Sequence, residues 1–335
     1  MKLQPIFYLA FGTAFLTALL ATPQVRRLAL KVGVLDAVGD RRMHTEPKPR
    51  IGGIAVYLGL VFALFVSIGF ALHTTLFHSA NDTQDFFGLL FGGTLIMLVG
   101  VWDDIMGMRP RNKFLAQVVV AIVSMVYGFH IPGFEIPGSG KYVNLPPYVD
   151  YPITLVWYLG MMNAINFLDG LDGLLAGVTA ISGVFLFAIA SAHGHVGAAL
   201  VLCALVGGAL GFLPYNFNPA KIFLGDTGSL LIGYVFATVS LLITAKIAVT
   251  VSLLVPLVAL ALPVVDTAAA IFRRFRAGKA ITEADRGHFH HILVFRFGLN
   301  VRQAVLLIYA VSFLLGMAAY LLSGGGAHAH FVSVL

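Results

Sequence analysis

Charge is scarce in this chain and cysteine nearly absent. Asp, Glu, Lys and Arg make up only 11% of its 335 residues, against 59% hydrophobic ones. That balance excludes an ordinary soluble globular domain. Its one cysteine, Cys203, excludes a disulfide within the chain and a thiolate-built zinc centre. There is no H-E-x-x-H pattern either. No internal repeat or low-complexity tract is visible, which argues against a secondary transporter built from duplicated halves.

What the chain has instead is long apolar runs. A membrane span needs roughly 20 mostly apolar residues, and ten segments are predicted to qualify: 4–22, 51–72, 85–102, 114–131, 151–167, 173–192, 197–213, 228–245, 247–272 and 302–322. The first is too long, and too poorly followed by a cleavage site, for a removable signal, so it reads as a retained anchor. The fold class expected is therefore all-α, a polytopic membrane protein forming one domain over residues 1–335. The odd-numbered connections between these spans, with Arg302 at the edge of the last span, hold 18 of the 21 Lys and Arg residues, leaving Lys2, Lys141 and Lys246 elsewhere. The positive-inside rule makes that side cytoplasmic. The net charge of +6 is mostly this skew, and it would also attract anionic lipid heads and nucleotides.

The few acids are then placed tellingly. Asp103, Asp104, Asp169, Asp172 and Asp226 all fall on the basic side, at span ends. Charge at a bilayer face is costly unless it is used, so the set points to a metal-and-phosphate site. A secondary transporter would keep its acids near mid-span. In V-W-D-D-I-M-G-M-R-P-R-N-K the two adjacent acids cannot share a helix face, since neighbours lie about 100° apart. One can face the site while the other positions metal, water or a base. Arg109, Arg111 and Lys113 beside them suit phosphate, or serve only topology and lipid contact. In N-A-I-N-F-L-D-G-L-D-G-L, Asn163, Asn166 and Asp169 recur every third residue and form an oblique polar stripe on a helix. Gly170 and Gly173 let a ligand approach Asp172. The plain alternative is a polar seam between helices.

N-F-N-P-A-K-I-F-L-G-D-T-G-S carries Asn216, Lys221, Phe223, Asp226, Thr227 and Ser229 into the eighth span, where a helix N-terminus offers free N–H groups to phosphate or Asp226 merely caps it. The ninth connection, 273–301, is expected to form a cytoplasmic substrate-binding loop and adds His288, His290 and His291. With hard oxygen ligands elsewhere, Mg²⁺ or Mn²⁺ is favoured over zinc and the histidines read as phosphate contacts. Asp266 either pairs with Arg273 and Arg274 or lines the site. The Pro- and Gly-containing stretch 132–150 reads as an external loop or hairpin.

Together D-D-x-x-G-x-R-P-R-x-K, N-x-x-N-x-x-D-G-x-D-G-L, F-L-G-D-T-G-S and D-R-x-H-x-H-H, with M-H-T-E-P-K-P-R-I-G-G before them, resemble the polyprenyl-phosphate N-acetylhexosamine-1-phosphate transferases. The resemblance covers residues 36–305 in order. It is nearer the branch that starts O-antigen, enterobacterial common antigen or teichoic acid than the phospho-muramoyl-pentapeptide branch. It implies transfer of a sugar-1-phosphate, N-acetylglucosamine foremost, from a UDP-sugar to undecaprenyl phosphate with release of UMP; another UDP-N-acetylhexosamine or UDP-MurNAc-pentapeptide is the alternative. It further implies Mg²⁺, with Mn²⁺ as substitute, held by Asp226. Asp103 would be a base for the lipid phosphate, supported by Asp104. Asn166 and Asp169 would lie beside the pyrophosphate, and Asp172, Phe223 and Asn216 would take the nucleotide sugar. His288, His290, His291, Lys113, Lys48 and Arg50 would contact phosphate. The family implies a multi-pass protein of the bacterial cytoplasmic membrane with its site on the cytoplasmic face, no nucleic-acid partner, and a homodimer left open. Family members often have eleven spans, so ten or eleven are expected.

Overall fold

A chain segment in hydrocarbon must satisfy its own backbone hydrogen bonds, which leaves helix as the solution for each apolar run. The computed structural model describes residues 4–36, 47–72, 80–135, 141–244, 257–258, 260–276 and 289–324. Within these lie helices α1 (Gln4–Val32), α2 (Gly53–Leu72), α3 (Ala80–Met106), α4 (Pro110–Val126), α5 (Pro147–Leu168), α6 (Leu174–Ala192), α7 (Val196–Asn216), α8 (Gly225–Thr244), α9 (Ala261–Arg276), α10 (Phe289–Phe295) and α11 (Val301–Leu322). Two antiparallel pairs interrupt them: β1 (Leu35–Asp36) with β2 (Lys48–Pro49), and β3 (Gly133–Glu135) with β4 (Tyr142–Asn144). The second pair is the hairpin expected in 132–150.

Among the described residues, seven helices are long and apolar enough to cross a membrane: α1, α2, α3, α6, α7, α8 and α11. The protein is thus a mostly helical, polytopic membrane chain. The other expected spans differ for physical reasons. α4 has 17 residues and spans only about 25 Å, short of a bilayer core of about 30 Å. α5 has the length, 22 residues, but carries Asp150, Asn163 and Asn166. The expected span 247–272 lies partly outside the described residues, and α9, with 16 residues, starts later and runs on into Arg273 and Arg276. α1 overshoots its expected end at 22: its 29 residues extend about 43 Å, so Arg26, Arg27 and Lys31 ride on its last turns and not in a loop.

α8 is the hub. Its apolar stretch is 89% buried, against 28% for α11 at the periphery. α3 and α5 pack on it, while α1, α2, α6 and α7 form the adjoining layer and α11 lies against α6. Close approach depends on missing side chains: a Cβ on Gly53 would sit 2.1 Å from Gly228 N, and one on Gly100 2.5 Å from Thr227 Cα. Polar pins fix the rotation of α5. Trp157 Nε1 donates to Ser240 Oγ at 3.1 Å, Tyr158 and Thr238 share a bond of 3.0 Å, and Asn163 Nδ2 donates to Gln117 Oε1 at 2.7 Å. Asn163 therefore belongs to the interhelical seam with α4.

The chain order brings one set of helix ends together. The C-termini of α3 and α5 and the N-termini of α4 and α8 meet, and the polar motifs sit at these ends.

Candidate active site

Asp103 and Asp104 occupy the last turn of α3 and, being one residue apart, point different ways. Asp104 is 3% exposed and reaches the head of α8. Its carboxylate accepts from Asp226 N at 3.1 Å, Thr227 N at 2.9 Å and Thr227 Oγ1 at 2.6 Å. It thereby satisfies backbone donors that a helix start leaves open, and its charge matches the positive end of the helix dipole. Asp103 turns the other way. One oxygen accepts from Met108 N at 2.7 Å, and the other stands 2.9 Å from Lys113 Nζ.

Lys113, in the first turn of α4, bridges to Asp226 as well, with Nζ 2.6 Å from Oδ1. The same oxygen accepts from Asn166 Nδ2, which also donates to Ser229 Oγ at 2.8 Å. Asp226 is thus held at the mouth of α8 by groups from α4 and α5. Gly225 before it adopts φ +74°, and a Cβ there would lie 1.8 Å from Arg50 O and 2.5 Å from Asp104 Oδ2. Only glycine fits.

The early loop closes the wall. Phe223 N donates to Pro49 O at 2.7 Å, Gly52 N to Phe223 O at 2.9 Å and Gly53 N to Leu224 O at 2.8 Å. Arg50 donates from Nε and Nη2 to Asp104 O at 2.9 and 2.6 Å, covering a carbonyl at the end of α3, and its Nη1 lies 3.6 Å from Asp36 Oδ1. Lys48 sits 5.3 Å over the Phe223 ring and 3.5 Å from Asp172 Oδ2. That oxygen also accepts from Asn218 Nδ2 at 3.0 Å and Ala220 N at 2.8 Å.

These groups surround an open cavity of about 390 Å³, lined among others by Asp104, Asn166, Asp169, Asp172, Asn216, Phe223, Asp226 and His291. Asp169, in the turn after α5, is recessed in its wall. Burial pushes its carboxyl up to about 8, helped by the negative charges of Asp226, Asp104 and Asp172. Mg²⁺ is commonly held by one or two carboxylates plus substrate phosphates rather than by a protein cage. The donor chemistry here fits that pattern. Among the described residues no cluster of three His, Cys, Asp or Glu forms a cage, yet Asp103 and Asp226 already share one cation, the Lys113 ammonium.

Most predicted site residues therefore converge. Asn216 lines the cavity but is 3% exposed, and its Nδ2 holds Ile222 O at 3.0 Å, so it shapes the 217–224 loop. His291 reaches the wall from α10, where its ring stacks on Phe295 at 5.7 Å. His290 lies on α10 with its side chain outside the described residues, and His288 lies wholly outside them, as do 277–287 of the expected substrate loop. Asp266 does not line this cavity; it accepts from Phe289 N at 2.8 Å at the start of α10. Sequence reasoning missed Asp36 and Asn218 as cavity residues. Asn218 stood inside a quoted motif, N-F-N-P; Asp36 had no signal beyond being an acid among basic residues.

The family model described as glycosyl transferase family 4 matches residues 86–244. A probable undecaprenyl-phosphate N-acetylglucosaminyl 1-phosphate transferase of Bacillus subtilis is 36% identical, over 93% of this chain and 84% of its own length. The decaprenyl-phosphate N-acetylglucosaminephosphotransferase of Mycolicibacterium smegmatis is 34% identical, over 89% and 77% respectively. The undecaprenyl-phosphate alpha-N-acetylglucosaminyl 1-phosphate transferase of Escherichia coli is 31% identical, over 92% and 80%.

Proposed function

Since this chain belongs to glycosyl transferase family 4, we propose that it transfers N-acetylglucosamine 1-phosphate from a UDP-sugar to a polyprenyl phosphate. The observation that carries the reading is Asp226, fixed at the head of α8 by Lys113 and Asn166 beside a polar cavity that also holds Asp169, Asp172 and Phe223. Two anionic substrates require charge neutralised there, which the Lys113 ammonium and a divalent cation held by Asp226 would supply.

The lipid phosphate is undecaprenyl phosphate. Its oxygen attacks the β-phosphorus of the UDP-sugar, forming one P–O bond. The bond from that phosphorus to the bridging oxygen breaks, and its electron pair leaves with UMP. A phosphate monoester is largely ionised near pH 7, so no proton must be removed from the nucleophile. Asp103 then serves better as the partner that holds Lys113 than as a base, with the Lys113 ammonium left to offset phosphate charge. Asp104 contributes by fixing Asp226 in place. Asn166 and Asp169 lie beside the pyrophosphate, with the Asn166 amide holding Asp226 toward it, and Asp172 with Phe223 takes the uracil end. His291, with His290 and His288 of the same basic connection, contacts phosphate together with Lys48 and Arg50. Mg²⁺ would be held by Asp226, alongside Asp103 and substrate phosphates, and would neutralise charge on the pyrophosphate; Mn²⁺ suits the same oxygen donors. The whole chain acts as one multi-pass transferase unit in the bacterial inner membrane. The skew of Lys and Arg supports a cytoplasmic site.

The test is direct. Membranes containing the chain, undecaprenyl phosphate, Mg²⁺ and a panel of labelled UDP-sugars, including UDP-GlcNAc and UDP-MurNAc-pentapeptide, should yield labelled lipid from UDP-GlcNAc and lose it with a chelator. No labelled lipid from any donor would sink the proposal. Product that survives metal removal would leave the transfer intact and remove Mg²⁺ from it.

A further inference from the structure

Asp172 does not hold itself in place. Its Oδ2 is fixed by Asn218 Nδ2 and Ala220 N, so its aim depends on two segments meeting: the 169–173 turn and the 217–220 loop. Both are gripped from outside by one helix. Tyr309, on α11, donates its hydroxyl to Gly173 O at 2.5 Å, on the residue next to Asp172. Arg302, two helical turns earlier on α11, donates from Nε to Asn218 O at 3.0 Å. Seven residues apart, the two side chains share one face of the helix. Val301, beside Arg302, lines the cavity itself.

The fit of Tyr309 is specific. A Cβ on Gly177 would lie 2.0 Å from its ring, so the ring occupies a niche that only glycine leaves open on α6. Gly173 adopts φ +80°, and a Cβ there would lie 2.9 Å from the Phe217 ring, which locks the turn against the loop. α11 is otherwise peripheral to the bundle, and packing alone would ask only for apolar residues at these positions.

We propose that Tyr309 and Arg302 are positioning residues that set the nucleotide affinity of the site, by clamping from α11 the two segments that aim Asp172. Each is spent on a backbone carbonyl, that of Gly173 or of Asn218, and not on the Asp226–Lys113 pair. Their effect falls on binding of the uridine nucleotide and not on the transfer step. This inference rests on the reading of Asp172 given above.

The test is steady-state kinetics on the purified full chain in detergent, varying UDP-GlcNAc and undecaprenyl phosphate separately. Tyr309→Phe keeps the ring in its niche and removes only the hydroxyl. It should raise KM for UDP-GlcNAc about three- to tenfold, the factor carried by one lost hydrogen bond. It should leave kcat within about twofold and KM for the lipid unchanged. Arg302→Ala should do the same, and Arg302→Lys, which keeps a cationic donor, should recover most of the loss. Should Tyr309→Phe fail to fold, the Arg302 pair decides, because that side chain is exposed at the end of α11. An unmoved KM for UDP-GlcNAc, or a fall in kcat alone, overturns the inference while wild-type turnover leaves the function standing. A wild-type chain that makes no labelled lipid overturns both.

Discussion

Lys113 lies between two carboxylates that a divalent cation would also seek, and Asp226 is the one that faces the cavity. Removing that charge while keeping shape is the sharpest test of its role. Asp226→Asn should lower lipid product by about a hundredfold or more, as loss of a principal electrostatic partner does. The thermal transition in detergent should stay close to wild type, and retained activity would remove Asp226 from metal and phosphate binding. Asp169 allows a different test. Its carboxyl titrates at about 8 in the folded chain and near 3.9 when unfolded. Between these values the folded state holds the extra proton, so this group's stabilising contribution falls as pH rises toward 8 and levels off above. Thermal unfolding of the substrate-free protein should show that decline, and Asp169→Asn should flatten it. Equal pH profiles for the two proteins would refute the assignment. The sequence made these acids conspicuous because charge is rare in apolar spans. It even required Asp103 and Asp104 to diverge, since helical neighbours cannot share a face. Which of them caps a helix and which pairs with lysine depends on where α8 and α4 arrive, and that is long-range information.

At the scale of elements, the head of α8 is a junction where α2, α3 and α8 approach within the space of missing side chains. Asp104→Ala would strip the acceptor from two backbone N–H groups and a buried hydroxyl. It should cost about 1–3 kcal/mol, seen as a lowered thermal midpoint together with lost activity. Asp226→Asn should also lose activity but spare stability, so the thermal midpoint separates the two roles. Gly225→Ala should be harsher, because a side chain there collides with Arg50 O and demands a left-handed conformation as well; the expected outcome is loss of folded protein by detergent size-exclusion chromatography. Apolar spans such as α2, α6, α7 and α11 were legible because length and hydropathy alone decide them. α4 and α5 were less so: one is shorter than its apolar run suggested, and the other mixes a span with the polar wall of the site. The contact from Arg50 to the end of α3 left no trace in local pattern.

For the molecule as a whole, all the gathered chemistry lies at one end of the bundle, while the β3–β4 hairpin and the start of α5 lie at the other. Under the proposed topology the basic skew puts the cavity end in the cytoplasm. With Cys203 replaced by Ser, Arg109→Cys should react with a membrane-impermeant thiol reagent only in inverted vesicles, and Tyr148→Cys only in intact cells. The opposite pattern would invert the topology. Both positions are exposed, so silence at both would not be explained by burial.

The backbone pairing of Pro49, Gly52 and Gly53 with Phe223 and Leu224 also gives the site a time of assembly. The ribosome adds about 5–20 residues per second. The early strand therefore emerges several seconds to some tens of seconds before the segment that it must pair with. Until α8 enters the bilayer, Asp104 lacks the donors of Asp226 and Thr227 that its carboxylate accepts from. The catalytic wall is completed late in synthesis, and a chain halted before Phe223 would carry most of its acids without the pocket they form.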